Sequence, residues 1–179
     1  LYFYTDLPGS SDAFEAVQML SLLGAMDDHD VDRFQRDQPA TSLTHHNMEA
    51  YRFRPNDPVT LGEFARMVVK GLQVPLSITA SHFNDVRRGH RAFKYVETLY
   101  DYSSQSLEPF FDYEQAKITI ESGQSQQISA HPDRAINREK AATILSGLMK
   151  EQLPPQGNPD TLLTRGEAAK LIYRYATNL

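Results

Sequence analysis

The chain has 179 residues, 40% of them apolar and 23% charged, and a formal net charge of −5. That balance fits one globular domain or one compact array of repeats, and it argues against a general nucleic-acid binder, which would be basic. There is no cysteine, so disulfides and thiolate chemistry are excluded, and no apolar run approaches the roughly 20 residues that span a bilayer. No signal peptide is visible and the first residue is not Met, so we read the chain as a processed or excised piece of a longer protein.

The first element is an aromatic-x-Asp turn, Tyr4-Thr5-Asp6-Leu7. Ala13, Phe14, Val17 and Leu20 follow at helical spacing. Residues 25–58 then form a long polar stretch containing Asp27-Asp28-His29-Asp30 and His45-His46. Asp28 to Asp32 imitates the start of a calcium loop, but Arg33 stands where the turn needs glycine and Pro39 where it needs glutamate. The adjacent histidines lack partners at zinc-ligand spacing. After Pro58, the run Val59-Thr60-Leu61-Gly62-Glu63 opens a second helix, with Phe64, Ala65, Val68, Val69 and Leu72 on one face. Thr60 with Glu63 predicts a capping box, and Val59 with Phe64 a hydrophobic staple.

The same order recurs. Phe83-Asn84-Asp85-Val86 repeats the opening turn, and Ala92, Phe93, Val96 and Leu99 repeat the first helix. The loop 103–135 contains Lys117-Ile118-Thr119-Ile120-Glu121, which alternates as a short strand would. Beyond Pro132, Ile136-Asn137-Arg138-Glu139-Lys140 opens another second helix, with Ala141, Ala142, Leu145, Ser146 and Met149 in register. Asn137 is a good cap, but Lys140 cannot close the box. Past Pro154-Pro155, Leu163-Thr164-Arg165-Gly166-Glu167 opens a third, continuing through Ala168, Ala169, Ile172, Tyr173 and Ala176. Between Met149 and Leu163 there is no room for a first helix. The chain therefore reads as one domain, 1–179, of about two and a half units: 1–74, 80–150 and a truncated 151–179.

These residues resemble the S-layer homology family. Phe53-Arg54-Pro55-Asn56-Asp57-Pro58-Val59-Thr60 is similar to the family's loop end, Leu163 to Ala168 to its second-helix start, and Asp85-Val86 through Gly89-His90-Arg91-Ala92 to its opening turn. The resemblance covers most of the chain outside the two long loops. It implies a mainly α fold, a pseudo-threefold helical array around a three-helix core. It also implies a bacterial, extracellular, cell-wall location and non-covalent binding of a secondary wall polysaccharide that bears a pyruvate ketal, or of a peptidoglycan-linked glycan.

In that family an arginine at the start of the second helix meets the anionic sugar. Arg138 and Arg165 occupy this position, and unit one has Leu61 instead. Guanidinium suits a ketal carboxylate because it pairs with two oxygens at once, and a helix start adds amide donors and a favourable dipole. The residues' own chemistry also allows plain solvated first-turn arginines. The family's groove tryptophan is absent: Asp12 and Arg91 stand in its place. Arg91 is the third candidate ligand residue. Tyr51, Tyr102 and Phe110-Phe111 are candidates for exposed stacking, whereas Phe14, Phe93 and Tyr173 are core by periodicity. Asp6 and Asp85 are expected to close the turns before the first helices.

No nucleophile elbow, phosphate-cradling glycine loop or zinc-peptidase motif is present. The expectation is a non-catalytic anchoring module with no cofactor, no metal, no nucleic-acid partner and no membrane span, attached to other domains of a longer polypeptide. The alternative is a degenerate scaffold of the same repeats that docks proteins and binds no glycan. An enzyme built into the loops 25–58 and 103–135 is the weakest reading.

Overall fold

The computed structural model describes residues 4–26, 52–103 and 128–177. Among these the protein is mainly helical: α1 (Phe14–Leu22), α2 (Leu61–Gly71), α3 (Phe93–Ser103), α4 (Arg138–Met149) and α5 (Arg165–Ala176), with only isolated β-bridges between them. The expected strand at 117–121 lies outside the described residues, as do Asp28 to Asp32, His45-His46, Tyr51 and Phe110-Phe111.

The helix starts form as their sequences dictate. Thr60 and Thr164 are extended N-caps, and each accepts the N3 amide while the N3 glutamate returns to the cap amide, so both capping boxes are present. Asn137 caps α4 by accepting the Lys140 amide at 2.8 Å. The apolar faces then bury as the spacing requires. Val17, Leu20, Phe64, Val68, Val96, Leu99, Leu145 and Ile172 are all fully enclosed, and one apolar cluster draws on all five helices. Tyr102, which the sequence offered for exposed stacking, packs against this core instead.

Backbone bonds join the three units in a cycle. The Val59 amide donates to the Leu163 carbonyl (2.9 Å), the Leu163 amide to Ile136 (3.0 Å), and the Ile136 amide to Val59 (3.1 Å). A second set satisfies the helix starts. Leu61 and Gly62 donate to the carbonyls of Arg134 and Pro132, Arg138 and Glu139 to Thr161 and Pro159, and Arg165 and Gly166 to Asp57 and Pro55. The first helical amides have no partner within a helix. Here each pair is satisfied by the loop of a neighbouring unit, so the contact between units completes the hydrogen bonding of each helix start. Gly166 permits that approach, because a Cβ there would lie 3.1 Å from the Pro55 carbonyl oxygen.

Helix packing follows the same order. α1 packs on α5 and α2, α2 on α3 and α5, and α3 on α4, while α4 and α5 share no extensive contact. The opening falls where the third unit lacks a first helix. An irregular segment over 150–163 runs there, and the Leu153 amide is fastened to the Ser146 hydroxyl at 2.9 Å. This accounts for a polar residue at an apolar-spaced position of α4.

Two carboxylates bind distant backbone rather than their own turns, which corrects the local role expected of them. Asp6 accepts the amides of Phe53 and Arg54, both at 2.8 Å. Asp85 accepts those of Ala130 and His131, at 2.9 and 2.8 Å. Each therefore closes a loop across about the same sequence span, and in each the second residue is left-handed (Arg54 φ 58°, His131 φ 54°). The linker between units one and two is pinned similarly. Asp101 of α3 accepts the Ser77 and Thr79 hydroxyls, both at 2.7 Å, and fully buried Glu97 accepts the His82 amide at 2.9 Å and meets its ring at 2.7 Å.

Candidate functional site

The two arginines at second-helix starts point into the junctions between units. Arg165 is only 5% exposed. Its Nε donates to the Phe53 carbonyl at 2.8 Å, its Nη1 to Glu63 Oε1, and its guanidinium lies 5.0 Å from the Phe53 ring centre. Arg138 repeats the arrangement one unit back, donating Nη2 to Glu167 Oε1 at 2.6 Å and Nη1 to the Gln156 carbonyl at 2.9 Å. Each glutamate uses its other oxygen for its own capping box, accepting the Thr60 or Thr164 amide at 3.0 Å. One carboxylate thus starts a helix and receives the arginine of the preceding unit in the cycle. Burial alone would raise the Glu167 pKa, but the Thr164 amide and the Arg138 guanidinium outweigh it and hold the carboxyl below its ordinary range.

The third junction departs at both ends. Leu61 stands at the arginine position and Lys140 at the glutamate position. Losing both partners together avoids stranding a charge, whereas losing one would leave the other buried and unpaired. The paired loss was visible in the sequence, but its meaning required knowing that N1 of one unit faces N3 of the next.

The first three amides of α2, α4 and α5 are all engaged, two by neighbouring carbonyls and one by the cap side chain. The amide donors that the sequence reading offered to an anion are therefore occupied. Side-chain chemistry is open in surface clefts, two of which lie among the described residues at unit junctions.

The first cleft lies at the junction of units one and two and is lined by Thr60, Glu63, Arg66, His90, Arg91 and Asp133. Arg66 Nε donates to the Gly24 carbonyl at 3.1 Å, which orients its guanidinium, and Arg91 approaches Asp133 at 3.6 Å. His90 Nδ1 accepts the Ala92 amide at 3.1 Å, which puts the proton of a neutral ring on Nε2. The same turn carries Arg87 and Arg88, both exposed, and is closed by the His90 amide donating to the Arg87 carbonyl at 2.7 Å. This Arg87-Arg88-Gly89-His90-Arg91 turn is a compact basic feature on an acidic chain. The sequence reading singled out only Arg91; the signal was the run of four cationic-type side chains in five residues.

The second cleft lies between α4 and α5 and is lined by Arg138, Leu153, Pro154, Gln156, Leu171 and Tyr175. At the remaining junction Asp12, the counterpart of Arg91, is bound by Lys170 Nζ at 2.6 Å. That bond and the Lys170 charge hold the Asp12 carboxyl below its usual range.

Of the three candidate ligand residues, Arg91 and Arg138 line separate clefts and Arg165 is enclosed. Among the described residues no cluster of three or more histidine, aspartate or glutamate side chains is arranged to hold a metal, and no helix is long and apolar enough to cross a membrane. Neither a protein-family model nor a curated protein matches this chain.

Proposed function

We propose that this chain is an S-layer-homology-type array and acts as a non-catalytic anchoring module that holds a longer polypeptide at a bacterial cell surface. It would do so by binding an anionic wall polysaccharide. The array reading rests on the repeated motifs, and the cyclic bonds among Val59, Ile136 and Leu163 support a pseudo-threefold arrangement of α2, α4 and α5. The observation that carries the function is the cleft where Arg66 of unit one meets His90 and Arg91 of unit two, beside exposed Arg87 and Arg88. Guanidinium groups held by backbone and carboxylate partners are oriented for bidentate contact with sugar carboxylates or phosphates. Where the family stacks a sugar on tryptophan, this chain offers Arg91, so charge replaces stacking in the contact. Arg138 provides a second cationic contact in its own cleft.

A second reading is a docking scaffold without glycan affinity. Enclosed Arg165 favours it, since an arginine spent on Glu63 and Phe53 is structural. So do Leu76 and Ile78, held outward on the pinned linker at 52% and 44% exposure.

Co-sedimentation with the source organism's cell-wall sacculi separates the two. Binding should vanish when the secondary polysaccharides are stripped, and should fall at least tenfold in Arg66→Ala/Arg91→Ala with the helical circular dichroism unchanged. Binding that survives stripping, or absence of binding to intact walls, would leave the scaffold reading.

A further inference from the structure

We propose that the gap between α4 and α5 is a docking groove for a short amphipathic helix on a partner polypeptide, one that repeats the apolar pattern of α1 and α3. The inference extends the repeat arrangement and does not depend on glycan binding.

The second helices correspond residue by residue, Val59 to Leu72 with Ile136 to Met149 and with Leu163 to Ala176. Two of their units carry a first helix. α1 packs on α2 and α5, and α3 on α2 and α4, so each sits between two second helices. Among the described residues no helix lies between α4 and α5, which share no extensive contact. One repeated position shows the effect. Met67 and Ile144, in the units with a first helix, are 1% and 0% exposed, whereas their counterpart Leu171 is only half-buried and lines the cleft. Tyr175, one turn on, is half-buried as well and lines it together with Ala142 and Leu145 of α4. Residues 150–163 cross this opening without closing it, since Leu153 is half-buried and Pro154 exposed.

The chain itself specifies what fits. Ala13-Phe14-x-x-Val17-x-x-Leu20 and Ala92-Phe93-x-x-Val96-x-x-Leu99 occupy the two filled seats, and their Val and Leu side chains are fully enclosed. These helices are 9 and 11 residues long. The third seat continues the same packing: α5 already receives α1 and α4 already receives α3, and the gap lies where neither is covered. A helix with the same stripe would remove Leu171 and Tyr175 from water, as an amphipathic helix does in an apolar groove. A segment this short is marginal as an isolated helix, so it gains its helicity on binding.

Fluorescence anisotropy of a labelled peptide of residues 11–24, titrated with the intact chain, tests this. Anisotropy should rise saturably, and Val17→Lys/Leu20→Lys in the peptide should weaken binding at least tenfold. Leu171→Glu and, separately, Tyr175→Glu in the chain should each weaken it at least tenfold, with the chain's helical circular dichroism unchanged. The peptide control leaves the chain unaltered, so it decides the question even where a chain variant fails to fold. A peptide that does not bind, or that binds as well without its apolar stripe, would overturn the groove. Binding that Leu171→Glu and Tyr175→Glu both leave unchanged would put the peptide in the seat of α1 by exchange, and would overturn it too. Concentration-dependent dimerisation in sedimentation velocity, abolished by Leu171→Glu, would give the gap to a second copy and overturn the partner helix. The peptide assay contains no polysaccharide, so loss of wall binding in the co-sedimentation assay leaves its result untouched and the two failures are distinguishable.

Discussion

The Arg165 guanidinium reaches the Glu63 carboxylate across 102 residues of sequence and so fastens the last helix of the chain to the start of α2. Glu63 simultaneously accepts the Thr60 amide at 3.0 Å, so the cap of one helix and the docking of another share a single side chain. Arg165→Met should therefore cost about 3–5 kcal/mol, because Glu63 and the Phe53 carbonyl lose a buried donor. Adding Glu63→Gln keeps a capping-box acceptor and removes the stranded charge. The double variant should recover at least half the loss in urea unfolding. If it is no more stable than Arg165→Met alone, the pair is not the origin of the effect.

Asp6 and Asp85 each hold two consecutive amides of a loop more than 40 residues away. Asp6→Ala should destabilise by about 3 kcal/mol, in line with losing two bonds to a charged acceptor. Asp6→Asn, which keeps one acceptor oxygen, should cost less. Thermal unfolding of both variants checks the order.

Close packing makes Gly71 intolerant of a side chain. A Cβ there would sit 2.6 Å from Leu20 Cδ2 and 2.7 Å from Ile172 Cγ2, at the meeting of α1, α2 and α5. Despite the gain in helix propensity, Gly71→Ala should lose about 1–3 kcal/mol to overpacking. Gly89→Ala, with nothing within 4 Å, should change stability by no more than about 0.5 kcal/mol.

Acid should loosen the junction of units two and three. The folded Glu167 pKa lies below its ordinary 4.5, so the unfolded chain takes up this proton more readily than the folded one. The stability linked to Glu167 is therefore complete above about pH 4.5 and is lost as pH falls through the folded value. Glu167→Gln should flatten the stability–pH curve below pH 4.5 relative to the unaltered protein. An unchanged acid limb in urea titrations would show that other carboxylates carry it.

Local patterning determined a good part of this protein. The three second helices, both capping boxes and the apolar faces of all five described helices follow from spacing and cap chemistry, which involve residues within a turn or two of each other. Ser146 and Lys140 stood out as exceptions in that register, and each marks a place where the tertiary structure departs from the repeat. Long-range partnership was not legible. That Asp6 serves Phe53 and Arg54, that Arg165 is enclosed while Arg138 and Arg91 line clefts, and that Arg66 joins His90 and Arg91, all depend on how separate units meet. The helix-start amides make the same point. Sequence marks them as donors in need of acceptors, but only the assembled ring supplies carbonyls from a neighbouring unit. Hydrogen bonding obliges those groups to find partners, and the tertiary structure decides which ones they find.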